Sequence, residues 1–377
     1  MAKNILYIGG FNFNKTTASS IRVIENARFL EKLNFNVEVL GKIQLLDKKY
    51  TTIDTIKVSN IVADDEDFAS NISTIKLKVT SSKIEYIIAY NYPPIAFYKL
   101  LKLCKINNVT LIPDLTEWYG IDGDFSIGKG VRFILHQWRM LYLNKQCKNK
   151  IVASSFLDRY YKKSNNLLLP FVTIDVLNFK KQQNLNIDAI KFVYAGSPGE
   201  NFSKDRLDIV LKSFAKVKEI HSNFMLNIVG LTKENLLAID RVKKEVQFLD
   251  QHLNCFGRLD NVACVNVIKQ SDIVVFARDV NRVSSAGFPT KVFEAFKYGL
   301  PILTNRTSDI DNYVEKNYNG FLTQEANVKG FLNAIQLIVS ADIKSLEKII
   351  DNCRSENPFF YKNYMNKTEL FFKKTNT

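Results

Sequence analysis

The chain has 377 residues, 46% of them hydrophobic and 24% charged, with a formal net charge of +14. This balance is typical of a folded globular protein and excludes disordered, collagen-like and disulfide-stapled chains. At ~150 residues per domain the length predicts two domains. The basic excess favours anionic partners and says nothing about the fold.

Five cysteines lie at wide spacings without a CxxC pair, and there are only three histidines. These numbers indicate neither a zinc ribbon nor a disulfide framework, so we expect reduced thiols and no metal site. No stretch approaches the ~18 consecutive apolar residues of a membrane-spanning helix. The opening, MAKNILYIGG, lacks the features of a signal peptide. We therefore expect a cytoplasmic protein, with peripheral attachment to the inner face of the membrane as the alternative.

Strand patterns alternate with helical periodicity from the first residues onward. A strand at 4–9, a helix at 19–34 and a strand at 36–41 form the first repeat of this pattern. Further strands are predicted at 84–90, 110–115, 150–154 and 167–171. Such alternation is typical of a parallel sheet covered by helices, so residues 1–172 are predicted to form a Rossmann-like domain.

The polar segment 173–189 is interpreted as a linker. A second alternating series over 190–357 predicts another Rossmann-like domain. Its strands are predicted at 191–195, 224–230, 254–257, 272–277 and 301–304, and its helices at 204–221, 233–249, 261–270 and 291–298. The aromatic and basic segment 358–377 is expected to be a helix that packs back on the N-terminal domain, and a membrane-touching tail is the alternative.

Residues 284–305, SSAGFPTKVFEAFKYGLPILTN, contain the sharpest motif. The loop at 287–291 leads into a helix, whose free N–H groups and positive dipole end suit a diphosphate. Lys291 adds a formal charge there, and Glu294, one turn further on, can accept hydrogen bonds from a ribose diol. An ordinary strand–loop–helix turn with Thr290 as its N-cap is the alternative.

This segment resembles the C-terminal signature of the family 4 retaining glycosyltransferases of the GT-B fold. That signature has a glutamate, seven residues, a second glutamate, and then a small-residue turn followed by Pro-Val-Ile. Glu294 matches the second glutamate and Gly-Leu-Pro-Ile at 299–302 matches the turn, whereas Ala286 stands where the family has the first glutamate. The resemblance implies an α/β protein with two facing Rossmann-like domains, parallel sheets and an interdomain cleft, the N-terminal domain binding acceptor and the C-terminal domain binding nucleotide sugar.

The resemblance also implies a donor site. Lys204 matches a family lysine that neutralises the donor pyrophosphate, while Ser197 replaces the arginine that often accompanies it. Arg206, Arg278 or Lys291 could supply the missing charge. The expected donor-binding residues share positions at strand ends, in glycine turns or in the signature. They are Gly10, Gly196, Lys204, Arg258, Arg278, Gly287, Phe288, Pro289, Thr290, Lys291 and Glu294.

Residues 113–119, PDLTEWY, follow a buried strand and so lie at the carboxyl edge of the sheet, where ligands bind in open α/β folds. The family's histidine near this position is absent, so Asp114 or Glu117 is expected beside the transferred sugar. The catalytic candidates are Glu117, Asp114 and Lys204, and the acceptor-binding candidates are Lys15, Thr16, Glu117 and Trp118. Alternatively, both acids cap loops and Trp118 belongs to the core.

Residues 125–182 hold eleven basic side chains against Asp158 and Asp175. Interleaved apolar residues make part of this stretch amphipathic, which suits an anionic inner-membrane surface near a lipid-linked acceptor. A solvated basic surface is the alternative. Since no nucleic-acid-binding motif is present, no nucleic-acid partner is expected. The acidic residues 64–67 could hold Mg²⁺ but are interpreted as a solvated loop.

The resemblance therefore implies a retaining, metal-independent glycosyltransferase. It would transfer a sugar from a nucleotide diphosphate sugar, expected to be a UDP-sugar, without a further cofactor. The acceptor would be a glycan or lipid-linked glycan of a bacterial surface polysaccharide such as capsule or O-antigen. Two alternatives stay open. One is a non-catalytic binding subunit, suggested by Ala286 and Ser197, and the other is a nucleotide-sugar epimerase, which would need acid and base groups in the cleft.

Overall fold

A computed structural model describes residues 2–14, 17–43, 50–60, 72–120, 126–175 and 189–375. The chain divides into two compact units. The N unit comprises Met1–Asp175, Ser285–Phe288 and Phe359–Thr377, and the C unit comprises Val176–Ser284 and Pro289–Pro358. Most of the predicted linker, 176–188, lies outside the described residues.

The N unit contains an eight-stranded sheet in the order β3-β4-β2-β1-β5-β6-β7-β8. Its strands are β1 (Lys3–Asn12), β2 (Phe35–Lys42), β3 (Tyr50–Ile53), β4 (Ile56–Asn60), β5 (Ile84–Tyr90), β6 (Thr110–Leu115), β7 (Asn149–Val152) and β8 (Asn165–Leu168). Neighbouring strands are parallel, except that β3 runs antiparallel to β4. The middle strands are apolar on both sides because helices cover both faces of the sheet.

The helices of the N unit are α1 (Ala18–Lys32), α2 (Ile72–Ser81), α3 (Pro94–Ile106), α4 (Ile127–Leu141), α5 (Ser155–Tyr160) and the last helix, α14 (Met365–Thr375). Helix α1 packs on one face of the sheet together with Phe371 and Phe372 of α14. On the opposite face, α2 and α3 form a second apolar cluster against which Trp138 of α4 packs.

The C unit contains a six-stranded parallel sheet in the order β11-β10-β9-β12-β13-β14. Its strands are β9 (Ile190–Ala195), β10 (Phe224–Val229), β11 (Leu253–Cys255), β12 (Ile273–Val275), β13 (Ile302–Asn305) and β14 (Gly320–Thr323). Its helices are α6 (Leu207–Lys218), α7 (Lys233–Leu237), α8 (Asp240–Leu249), α9 (Asn261–Lys269), α11 (Thr290–Lys297), α12 (Val328–Val339) and α13 (Ile343–Ser355), while α10 (Arg282–Ala286) spans the boundary between the units.

The α/β architecture with two parallel-dominated sheets is confirmed, and the strands at 84–90 and 110–115 have their predicted limits. The first strand was predicted too short, because β1 continues through Gly10 to Asn12 with a register irregularity between Ile8 and Asn12. Gly10 therefore lies within a strand and not in a glycine-rich loop. The single helix predicted at 233–249 is two helices, α7 and α8.

None of the helices among the described residues is long and apolar enough to cross a membrane.

Candidate functional site

Two neighbouring strands of the C unit end in glycines at the carboxyl edge of the sheet. Gly196 follows β9 with φ 138°, and Gly230 follows β10 with φ 113°, a conformation that side chains with a Cβ rarely adopt. A Cβ on Gly230 would lie 2.2 Å from the carbonyl oxygen of Gly196, and a Cβ on Gly196 would lie 2.8 Å from Lys291 Nζ. Glycine thus lets the backbone pass directly beside a lysine ammonium group.

The fully buried carboxylate of Asp205 is the centre of this region. It accepts hydrogen bonds from Lys291 Nζ at 2.7 Å and from Arg278 Nη2 at 2.6 Å. The hydroxyl of Tyr194, in β9, donates to it at 3.0 Å. The backbone N–H groups of Lys204 and Asp205 both donate to the Pro198 carbonyl, at 2.9 and 3.0 Å, which closes the loop that carries the acid. One carboxylate therefore holds two cations from distant parts of the chain.

The cluster of Lys204, Asp205, Arg278 and Lys291 has more positive than negative charge. Three cations against one carboxylate leave a net charge of +2, and the side chain of Lys204 is exposed. Burial disfavours the charge of Asp205, but Lys291 and Arg278 outweigh it and hold the pKa of this carboxyl well below its usual range. Burial, with repulsion from Arg278 and Lys204, also lowers the pKa of Lys291 despite the attraction of Asp205. The lowered pKa of Asp205 reflects the positive potential of its cations, which favours an anionic ligand, whereas the lowered pKa of Lys291 comes chiefly from its burial.

Arg206 does not add to this surplus of positive charge. Its guanidinium pairs with Asp208 at 3.0 Å and with Asp279 at 2.8 Å. Of the three residues that could replace the charge missing at Ser197, Arg278 and Lys291 therefore lie in the cluster, and Arg206 is neutralised by its own partners.

Helix α11 starts beside the same cluster, with Pro289 as its N-cap residue and Thr290 as its first residue. Proline has no side chain that can accept the first N–H groups, so no side-chain cap covers the start of the helix. One turn further on, Glu294 lines a cavity of about 10 Å³, room for about one water molecule, between the helix and strands β9 and β12. Burial raises the pKa of Glu294, against the opposing charges of Lys291 and Lys297.

The first part of the signature segment belongs to the N unit. The carbonyl of Ala286 accepts a hydrogen bond from Ser154 Oγ at 2.8 Å, and the Ala286 side chain is buried in an apolar cluster with Trp118 and Leu157. The ring of Phe288 lies 5.7 Å from that of Phe359, also in the N unit. Gly287 and Phe288 therefore belong to the N unit, whereas Lys291 and Glu294 belong to the C unit. The predicted direct turn from strand to helix is also corrected, since α10 intervenes.

Asp114, at the carboxyl end of β6, is fully buried. Arg22 donates to its carboxylate from Nη2 at 2.8 Å and from Nε at 3.3 Å, and Tyr7 donates from its hydroxyl. The same guanidinium also donates to the carbonyls of Leu169 and Pro170. All these contacts are internal, and they favour a structural role for Asp114 over direct contact with a substrate.

Trp118 is only 2% exposed, and its ring lies 4.9 Å from that of Tyr160 in an edge-on contact. This packing favours the alternative that the sequence left open, in which Trp118 belongs to the core. Glu117, between these two buried residues, is exposed and stays the candidate for contact with a substrate.

The remaining predicted residues are spread along the chain. Arg258, three residues beyond the end of β11, is exposed beside Gly257, whose carbonyl accepts the Gly230 N–H at 2.7 Å. Lys15, Thr16 and the acidic residues 64–67 lie outside the described residues. Within the part of the chain that is described, no group of three or more histidine, cysteine, aspartate or glutamate residues could hold a metal ion.

Asp205 was missed by the sequence analysis. Its signal was an acid placed directly between Lys204 and Arg206, in a loop where the pattern of cations already indicated an anion site. A buried acid in such a loop organises the cations, because it fixes their side chains without removing the surplus of positive charge.

Comparisons with known proteins find similar sequences and structures. Residues 176–356 match the family model of the glycosyl transferases group 1. Over 150 residues the chain is 26% identical to an uncharacterized glycosyltransferase of Haemophilus influenzae, and this stretch covers 38% of the chain and 38% of that relative's length.

Solved structures resemble the chain over nearly its whole length. The sucrose-phosphate synthase of Thermosynechococcus elongatus has a TM-score of 0.72 and 14% identity, over 99% of this chain and 98% of that one. HepE of Anabaena in complex with UDP and glucose has a TM-score of 0.66 and 14% identity, over 99% of this chain and 100% of that one. Together with the two parallel-dominated sheets, these similarities show the GT-B fold.

Proposed function

We propose that the protein transfers a sugar from a nucleotide diphosphate sugar to an acceptor hydroxyl, because residues 176–356 match the family model of the glycosyl transferases group 1. The observation that carries this proposal is the cluster of Lys204, Arg278 and Lys291 around Asp205. Its net charge of +2, from three cations and one acid, complements a diphosphate. The uncapped start of α11 adds N–H donors beside Lys291.

In the proposed reaction the bond between the anomeric carbon and the diphosphate oxygen breaks while the acceptor oxygen bonds to the same carbon. The leaving diphosphate gains negative charge, which Lys204, Lys291 and the α11 N–H groups stabilise. The acceptor's proton passes to a diphosphate oxygen, and attack on the face that the leaving group vacates retains the configuration. Glu294 orients the ribose and Glu117 orients the sugar or the acceptor. No step requires a metal ion.

We further propose a UDP-sugar as donor and a glycan or lipid-linked glycan of a bacterial surface polysaccharide as acceptor. Support for uridine comes from HepE, a protein of similar fold whose structure contains UDP and glucose. The exposed side chains of Phe256 and Arg258, after β11, are available to contact the base.

A second candidate function is a non-catalytic subunit that binds donor while another chain transfers the sugar. Ala286 favours it, because this residue lies in an apolar cluster where the family signature has an acid. The two candidates share donor binding and differ in turnover.

A thermal-shift screen with UDP-, GDP-, ADP-, CMP- and dTDP-sugars, with and without EDTA, tests donor binding, since a ligand of the native state raises the Tm. We expect one nucleotide series to raise the Tm, equally with EDTA. Lys204→Gln, at an exposed site, should weaken that donor about tenfold without unfolding the protein. Lys243→Gln, another exposed lysine in the C unit, is the matched control.

Release of nucleoside diphosphate from the stabilising donor, in the presence of glycan and lipid-linked acceptors, then separates the two candidates. Release supports the transferase, and binding without release supports the subunit. Absence of a Tm shift with every nucleotide sugar would overturn both.

A further inference from the structure

Three helices on one side of the N unit contain no acidic residue. Helices α2, α3 and α4 have the sequences ISTIKLKVTS, PIAFYKLLKLCKI and IGKGVRFILHQWRML. Their exposed cations are Lys76, Lys99, Lys102, Lys105, Lys129 and Arg132. Helix α1, on the other face of the sheet, has a mixed surface that includes Glu31 and the ion pair of Arg28 with Asp175.

Helix α4 turns an apolar ridge outward. Ile127, Val131, Ile134 and Leu141 follow the spacing i, i+4, i+7 and i+14 and are 83%, 53%, 66% and 46% exposed. Residues at this spacing share one face of a helix, so the four side chains form a continuous ridge. Amphipathic helices of globular proteins normally bury that face, and an exposed ridge of this length marks an interaction surface.

The apolar ridge continues onto α3. Trp138, also on this side of α4, lies 5.7 Å from the ring of Tyr98, which is 40% exposed. Lys102 Nζ lies 4.4 Å from the centre of the Tyr98 ring, so a cation borders the apolar surface. Ile95, near the start of the same helix, is 52% exposed.

A basic groove adjoins the end of α3. Its volume is about 770 Å³, and its lining includes Lys105, Lys148, Lys163 and Lys374 but no acidic side chain among the described residues. Lys105 belongs both to α3 and to the groove. The helical surface and the groove thus form one region that has no acidic side chain in the described part of the chain, and we call it the α3–α4 surface.

We propose that the α3–α4 surface docks on an anionic lipid bilayer. The apolar ridge of α4 would lie at the boundary between headgroups and acyl chains, and the cations and the groove would face lipid phosphates. Pairing of two copies through this surface is opposed by charge, because each copy would present cations to the cations of the other. The proposal uses none of the donor-site residues, so it stands independently of the proposed reaction.

Co-sedimentation of the full chain with vesicles tests the proposal. We expect the chain to bind phosphatidylcholine vesicles that contain roughly 30% of the anionic lipid phosphatidylglycerol, and to bind pure phosphatidylcholine vesicles only weakly. Binding to the anionic vesicles should weaken as the salt concentration rises. Lys129→Gln with Arg132→Gln should weaken binding about 25-fold at low salt, at about fivefold per cation. Val131→Ser with Ile134→Ser should weaken it at least about tenfold, since the ridge loses its apolar area.

Matched double variants in the C unit serve as controls. Ile220→Ser with Leu337→Ser removes side chains that are both 67% exposed, and Lys243→Gln with Lys244→Gln removes two exposed cations. Both should bind vesicles like the unsubstituted chain. The Tm shift with donor should survive in the α4 variants, which separates this proposal from donor binding.

Three results would overturn the proposal. The first is no binding to anionic vesicles, and the second is equal binding to both kinds of vesicle. The third is a dimer in lipid-free gel filtration that Val131→Ser with Ile134→Ser converts to monomer, because the ridge would then be covered by a second copy.

Discussion

The carboxylate of Asp205 lies 2.7 Å from the ammonium group of Lys291, which is 86 residues away in the chain, and it also binds Arg278. Neither cation has another carboxylate at ion-pair distance within the described residues. One buried acid thus positions two cations, and the surplus of charge is left for a ligand. We therefore expect this acid to contribute strongly to the stability of the C unit.

Asp205→Asn should lower the free energy of unfolding by roughly 3–5 kcal/mol, because it leaves buried cations without a counter-charge. Urea denaturation measures the change. Asp279→Asn is the control, since Asp279 pairs with Arg206 at a site where its side chain is 49% exposed, and its loss should cost less than about 1 kcal/mol. Equal losses in the two variants would contradict the role given to Asp205.

Glu294→Gln should raise stability and lower donor affinity. Burial raises the pKa of Glu294, so the folded state holds the proton more tightly than the unfolded state does. Ionisation therefore removes stability as the pH rises above the ordinary value of 4.5. The glutamine of the variant cannot ionise, so the variant should be more stable than the unsubstituted protein at pH 8. This difference in stability should disappear towards pH 4.

Denaturation at several pH values and calorimetry with the donor measure the two effects of Glu294→Gln. We expect donor affinity to fall about tenfold, because the neutral amide of glutamine accepts weaker hydrogen bonds from the ribose than the carboxylate does. Glu219→Gln, at an exposed site of the same unit, should change neither quantity. A stability difference that did not vary with pH would refute the assignment of a buried, raised-pKa carboxyl.

The local pattern of apolar and polar residues in the sequence predicted most of the architecture. Strands β5 and β6 were predictable to the residue, since buried parallel strands are continuous apolar runs bounded by polar segments. The hairpin of β3 and β4 was not, because β3 has no buried residue and the two strands have only four and five residues. Strand β14 is buried throughout but was missed, since four residues are too few for a recognisable pattern.

The candidate site was predictable only where charge and motif coincide. Lys204, Lys291 and Glu294 followed from the motif and its position at the start of a helix. The role of Asp205 could not be predicted without knowing which distant cations approach it, because its partners lie 73 and 86 residues further along the chain. The surroundings of Ala286 could not be predicted from the sequence either, since only the structure reveals the apolar cluster around it.

Arg22→Met should lower stability, whereas Glu117→Gln should lower turnover and leave stability nearly unchanged. Arg22→Met removes the counter-charge of Asp114, which is fully buried, and should cost roughly 3–5 kcal/mol of stability. Glu117→Gln changes an exposed side chain, so stability should stay within about 0.5 kcal/mol while kcat falls. Denaturation and donor turnover measured on both variants check this. Normal turnover by Glu117→Gln would remove Glu117 from the reaction.

Gly196→Ala tests the close approach of backbone and lysine in the C unit. The φ of 138° is unfavourable for alanine, and the new Cβ would lie 2.8 Å from Lys291 Nζ. We expect a loss of about 1–3 kcal/mol of stability and, since Lys291 must move away from Asp205, weaker donor binding. Gly128→Ala is the matched control, because a Cβ there meets no atom within 4 Å and the residue lies in helix α4. Alanine should stabilise that helix by up to about 1 kcal/mol. The same substitution should therefore lower the free energy of unfolding at Gly196 and raise it at Gly128. A loss of stability at Gly128 with none at Gly196 would show that the approach of Lys291 to the strand end does not constrain the site.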